Sequence, residues 1–379
     1  MPPNPSQGLG KAESKLFRAA KALPFVGITA VAAKIMYGTA LPPMVIRIGE
    51  IFENGVYDNV SNKGFIRPLQ TFFGIDFIDS RITGLAGSFA SFQFVDVICN
   101  WQAYSFLMDL GIVYAILLIE SARRANYLTA AYFTVILGYN MQFLSIGVLM
   151  GLYCFAHYIQ SPVENLCARD MRLTDMSYTA TVLPVIILAH YIPNFFAFST
   201  WIEPELRHKW EWIWQPFPIY VSFLQFALKK TVMPDTVEQD KLDKTERDIP
   251  TIKFTILALC AYSAAIWQYT VFFAPFSLVT HFVPNIAAAQ TGDDYIRLFL
   301  QLDQSFSMGA CFLWLLYLIG DMKKAGMVES SWISIIGRGL AIFAFAGPGV
   351  TVGLGWLWRE GVLATKGHKD AIVAEKKSR

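Results

Sequence analysis

The chain has 379 residues, 54 % hydrophobic and only 16 % charged, with a mean hydropathy of +0.41. A soluble domain carries about 25 % charged residues, and here apolar residues gather into runs of about 18 or more, enough to cross a hydrocarbon core about 30 Å thick. Disorder, a collagen-like repeat and a soluble disulfide scaffold are excluded, and a net charge of +2 implies no nucleic-acid partner. The expected fold class is an all-α, polytopic transmembrane helix bundle, one membrane domain over residues 1–379.

In chain order, residues 1–21 read as a polar cytosolic N-terminus carrying Lys11, Lys15, Arg18 and Lys21. The first apolar run, 24–45, exceeds the roughly 7–15 residues of a cleavable signal core and reads as an uncleaved span. Lys34 within it either snorkels or faces a polar interior. Seven more runs follow, at 103–120, 128–150, 181–201, 213–228, 252–276, 305–319 and 333–358. The stretch 83–99, diluted by Gly84, Gly87, Ser88, Ser91 and Asp96, reads as re-entrant or interfacial. The expectation is about eight spans, with seven to nine possible. Residues 229–250 form a polar loop and 359–379 a basic tail.

Asn59-Val60-Ser61 is an N-glycosylation sequon. Lys376 and Lys377 stand fourth and third from the end, either the spacing of a dilysine retrieval signal, which would put the chain in the expected endoplasmic reticulum, or a generic basic tail. Eight spans with a cytosolic start put both termini in the cytosol and Asn59 in the lumen. Lys323, Lys324, Asp293 and Asp294 fit the positive-inside rule poorly on that count.

Ionisable groups at membrane depth are costly and mark function by default. Glu120 either pairs with Arg123 and Arg124 at a helix end or faces the bundle as a proton-holding acid. Asp109 lies eleven residues earlier, about three turns, so both can share one face. Asn140 and Gln142 either glue helices together or orient a substrate oxygen. The most distinctive stretch runs from His190 through Pro193 to Glu203, and on through Trp210 and Trp214 to Pro218. It is either an aromatic belt around a turn or a protonatable Glu203 beside cation-stabilising rings. The expected catalytic residues are Glu203, Asp109 and Glu120, with His190, Asn140, Gln142, Trp210 and Trp214 binding substrate.

There is no P-loop, dinucleotide Gly-rich fingerprint, metal-ligand spacing or nucleophile elbow. Neither a cofactor nor a metal is expected. The five cysteines read as small buried hydrophobes.

Chain length, span number and the His190–Pro193 and Trp210–Pro218 stretches resemble the integral-membrane terpene cyclases of fungal secondary-metabolite clusters, of the ascofuranone-pathway type. The resemblance implies a cofactor-free isomerisation of a membrane-dissolved prenyl chain. An acid protonates an epoxide or alkene, and rings shield the cation in a water-poor cavity. It also implies a lipophilic prenylated substrate taken from the bilayer, and pathway enzymes on the same membrane. The alternative is a multi-span small-molecule transporter, to which the helix breaks at Pro193 and Gly347-Pro348-Gly349 would belong.

Overall fold

The computed structural model describes residues 13–58, 65–167, 171–231 and 246–366, almost all of them helical. The Asn59 sequon, the Lys376-Lys377 tail, residues 1–12 and residues 232–245 of the polar loop lie outside the described residues. The helices are α1 (Lys15–Asn54), α2 (Asp76–Phe94), α3 (Val97–Ser121), α4 (Thr134–Leu144), α5 (Ile146–Gln160) and α6 (Met176–Phe198). They continue with α7 (Pro204–Trp214), α8 (Phe217–Thr231), α9 (Ile249–Phe273), α10 (Leu278–Phe282), α11 (Gly292–Lys324), α12 (Trp332–Ala346) and α13 (Pro348–Lys366). Tyr57 and Asp58 pair antiparallel with Ile66 and Phe65 between α1 and α2.

Among the described residues five helices, α1, α3, α6, α9 and α11, are long and apolar enough to cross a membrane. Two apolar runs expected as single spans are broken instead. The run 128–150 breaks at Ser145, whose φ of 68° is left-handed, and α4 and α5 fold back as a hairpin. Its ends meet where the Ala130 N–H donates to Gln160 Oε1 at 2.7 Å. The run 333–358 breaks at Gly347, φ 93°, a conformation that glycine adopts without a Cβ penalty. Chains α12 and α13 return to one end, where Leu363 and Val362 pack with Met327, Val328 and Ile335. Continuous hydropathy hides the break at Ser145, because a turn shielded inside a bundle needs no polar residues, while Gly347-Pro348-Gly349 marks the other.

Two π-turns, Met36–Ala40 in α1 and Ile187–Tyr191 in α6, precede Pro42-Pro43 and Pro193. Proline has no N–H and crowds the preceding turn; the wider π-turn absorbs this and keeps each helix running.

Helix α3 is buried on all sides, as a uniformly apolar helix at the centre of a bundle must be. Ion pairs close both ends. Arg18 meets Asp321 at 2.8 Å at one, and Arg47 meets Asp293 at 2.6 Å at the other, beside Arg297 and Asp96. Asp294 forms a capping box with Thr291 at the start of α11. These acids are therefore committed to arginines and a helix N-terminus, which is why their number misleads a count of loop charge.

Candidate functional site in the bundle core

A cavity of about 140 Å³ lies between α2, α3, the α4–α5 tip, α7, α8 and α11. Its walls are apolar, with Leu, Ile, Val, Ala and Met side chains and eight rings, Phe89, Phe92, Phe106, Tyr114, Phe143, Trp214, Phe217 and Phe299. Trp214 stacks on Phe217 with centroids 5.3 Å apart and takes Phe89 edge-on at 5.0 Å. The polar lining is sparse, chiefly Gln142, Ser145 and Asp303.

His190 holds this wall in place. Its Nδ1 accepts from Trp214 Nε1 at 3.0 Å, so its Nε2–H donates to the Leu107 carbonyl at 2.7 Å. Both ring nitrogens are used, and the fully buried His190 positions Trp214. The π-turn at Ile187–Tyr191 turns it inward.

Asp303 closes the other side. Its Oδ1 accepts from Ser145 Oγ at 2.5 Å and from the Gly147 N–H at 2.6 Å. A carboxylate on α11 thus caps the first turn of α5 while lining the cavity. Asp109 does the same for the second hairpin. Its Oδ1 accepts from Ser263 Oγ at 2.6 Å, and it takes the Gly349 N–H at the start of α13. Asp109 is fully buried and its Oδ2 has no hydrogen-bond partner. A Cβ at Gly349 would overlap the Asp109 carboxyl, so only glycine lets this helix start approach.

Glu120 belongs to an ionic clasp. It accepts from Arg123 Nε, Asn126 Nδ2, Trp356 Nε1 and Arg359 Nη1, each at 2.9 Å. Glu360 meets Arg123 at 2.9 Å and Arg359 at 2.8 Å, and Arg172 bridges to Asp248 at 2.5 Å. Three guanidinium groups face three carboxylates, all buried, joining α3, α9 and α13 at one end. Four donors saturate Glu120, which fits a fastener. Its partner Arg123 was legible as a sequence neighbour, whereas Arg359 lies 239 positions away.

Gln142 lines the cavity and donates to the Gln215 carbonyl at 3.2 Å. Asn140 is exposed and bonds the Ile136 carbonyl of its own helix. Trp210 stacks on Phe196, centroids 4.9 Å apart, away from the cavity lining. Glu203 is exposed at the N-cap of α7. The inward face of that helix carries Arg207, His208 and Glu211, all buried.

The family model for the CtvD domain matches residues 61–363. The chain belongs to the CtvD domain family. It is similar to the FAD-dependent monooxygenase verC1 of Penicillium polonicum, 35 % identical over 99 % of this chain and 46 % of that protein. It is likewise similar to the FAD-dependent monooxygenase anuJ of Penicillium roqueforti, 35 % identical over 98 % of this chain and 44 % of that protein. A third relative, the FAD-dependent monooxygenase BOA8 of Botryotinia fuckeliana, is 30 % identical over 65 % of this chain. The chain spans less than half the length of these relatives. No solved structure matches it.

These names overturn the expectation of a cofactor-free isomerase or lyase: the relatives are named as flavin-dependent redox enzymes. The residues described here do not form the Rossmann type of dinucleotide site. In that type a strand leads through a Gly-rich turn into a helix. The nearest glycine cluster, Gly347, Gly349 and Gly353, joins two helices, and its surfaces are filled by Trp267, Asp109 and Cys260.

Proposed function

We propose that this chain is the membrane-embedded, substrate-holding part of a FAD-dependent monooxygenase system of fungal secondary metabolism. The observation that carries this reading is the aromatic cavity, set in a chain that resembles flavin monooxygenases over less than half their length. The flavin is carried by other sequence, in the same polypeptide or in a partner on the same membrane. The substrate is a lipophilic, prenylated molecule drawn from the bilayer, and the membrane is that of the endoplasmic reticulum.

The residues bind and orient. An unsaturated chain lies against Trp214, Phe217 and Phe89, whose faces contact polarisable carbon over a large area. A hydroxyl on that chain reaches the free acceptor capacity of Asp303 and the amide of Gln142. Trp214 keeps one rotamer because His190 fixes it, so the bound chain meets a preformed wall.

The test uses the chain purified in detergent. Incubated with FAD and desalted, it should retain no absorbance at 450 nm, while farnesyl-phenol should quench tryptophan fluorescence saturably. Stoichiometric retained FAD would put the redox centre in this chain, and non-saturable quenching would remove its substrate-holding role.

A further inference from the structure

On the far side of the cavity wall, α2 and α7 enclose a second group of polar side chains. Phe92 of α2 lines the cavity, while Phe94, two residues on, faces this group. On α7, Arg207, Glu211 and Gln215 recur at intervals of four and share one face with His208. Tyr57, from the short strand pairing, closes the space, with its ring 5.8 Å from that of His208 and 5.9 Å from that of Phe94.

Hydrogen bonding here is conspicuously incomplete. Arg207 is fully buried; its Nε donates to the Ala197 carbonyl at 2.9 Å, yet Nη1 and Nη2 have no partner. The Tyr57 hydroxyl, Glu211 Oε2 and Oε1 of Gln215, whose amide bonds Glu211, also lack partners. His208 Nε2 accepts from the Leu69 N–H at 3.0 Å, which puts its proton on Nδ1, 3.4 Å from Glu211 Oε2. Buried polar groups are nearly always satisfied, so a cluster of orphans needs a reason.

We propose that this cluster is a binding site for an organic carboxylate. Arg207 is a buried guanidinium with no ionised partner among the described residues. Burial drives Glu211 well above the usual carboxylate range, which favours its neutral form. Burial lowers Arg207 only to about 10, so it stays charged at neutral pH. One positive charge is left over, among groups that can all donate: the guanidinium fork, a phenol, an amide and a carboxylic acid. A planar monoanion that accepts two parallel N–H bonds matches the unused edge of Arg207. The rings of Phe94, 5.0 Å under the guanidinium, of Tyr57 and of His208 suit a flat, apolar body behind that carboxylate. A buried unpaired charge is costly, and this anion compensates it. Asp79, the other buried acid of α2, is occupied by the Phe72, Phe73 and Gly74 N–H groups.

The test is calorimetric titration of the full chain in detergent with sodium benzoate, and separately with inorganic phosphate. Saturable benzoate binding is expected, with no competition from phosphate. Arg207→Gln should weaken it by about 30-fold or more, the usual effect of removing one partner of a buried charge pair. Size-exclusion profiles establish that each variant folds. If Arg207→Gln does not, Arg207→Lys, which keeps the charge but loses the fork, should still weaken binding. Failure of the wild type to bind benzoate overturns the proposal, as does equal binding by the arginine variants. Competition by phosphate at equal concentration would reassign the site to anions in general. None of these readouts depends on the aromatic cavity holding a substrate.

Discussion

At the scale of single residues, the bundle is organised by carboxylates that receive backbone N–H groups. Gly147 and Gly349 show how tightly. A Cβ on Gly147 would lie 2.9 Å from the backbone of Asp303, and one on Gly349 would overlap the Asp109 side chain. Overpacking of this kind costs about 1–3 kcal/mol. Gly147→Ala and Gly349→Ala should each lower the thermal midpoint, whereas Gly309→Ala, with open space around it, should not. A second prediction concerns His208, whose burial pushes its pKa down to about 4. The unfolded ring titrates near 6.5, so the unfolded state binds more protons between the two values. The stability from neutral His208 is complete above pH 6.5 and is lost as pH falls towards 4, by up to about 3 kcal/mol. Glu211, raised by burial, acts with the opposite sign, losing stability as pH rises above 4.5. Thermal midpoints of wild type and His208→Gln, compared from pH 4 to 7, should differ in slope, the variant lacking the rise with pH that the neutral His208 ring supplies. Equal slopes would contradict the buried neutral ring.

At the scale of elements, the two hairpins α4–α5 and α12–α13 share one design: a left-handed residue at the tip and a second helix that starts on a carboxylate from a long spanning helix. Removing one carboxylate should loosen only its own hairpin. Asp303→Ala should speed hydrogen exchange at Gly147 and its neighbours while leaving α13 protected, and Asp109→Ala should do the reverse at Gly349. Simultaneous loosening of both tips would show them to be one cooperative unit. Much of this level was open to sequence reasoning. The apolar runs became helices, and Gly347-Pro348-Gly349 announced a break. Ser145 did not, because a serine within Leu144-Ser145-Ile146 carries no turn signal of its own. Glu203 sits exposed at the cap of α7, whereas the i, i+4, i+8 spacing of Arg207, Glu211 and Gln215, also open to reading in the sequence, marks the buried face that follows it. Asp303, a lone acid in an apolar run, stood among many such, and only its distant contact with Ser145 singles it out.

For the whole molecule, the clasp around Glu120 and the cavity divide the work of stability and binding. Glu120→Ala leaves Arg123 and Arg359 with Glu360 as the one carboxylate they share where they had two, and breaking a buried pair costs about 3–5 kcal/mol. That variant should show a strongly reduced thermal midpoint. Trp214→Leu should instead weaken farnesyl-phenol binding with a smaller loss of stability. The most direct test of the substrate-holding role is photo-crosslinking of a diazirine-bearing farnesyl-phenol to the chain in lipid nanodiscs, with the labelled residues mapped by mass spectrometry. Labels on Phe89, Met141 and Phe217, suppressed by unlabelled farnesyl-phenol, are the predicted result. Labels confined to outward-facing positions such as Ile333 and Phe345, and insensitive to competitor, would contradict it.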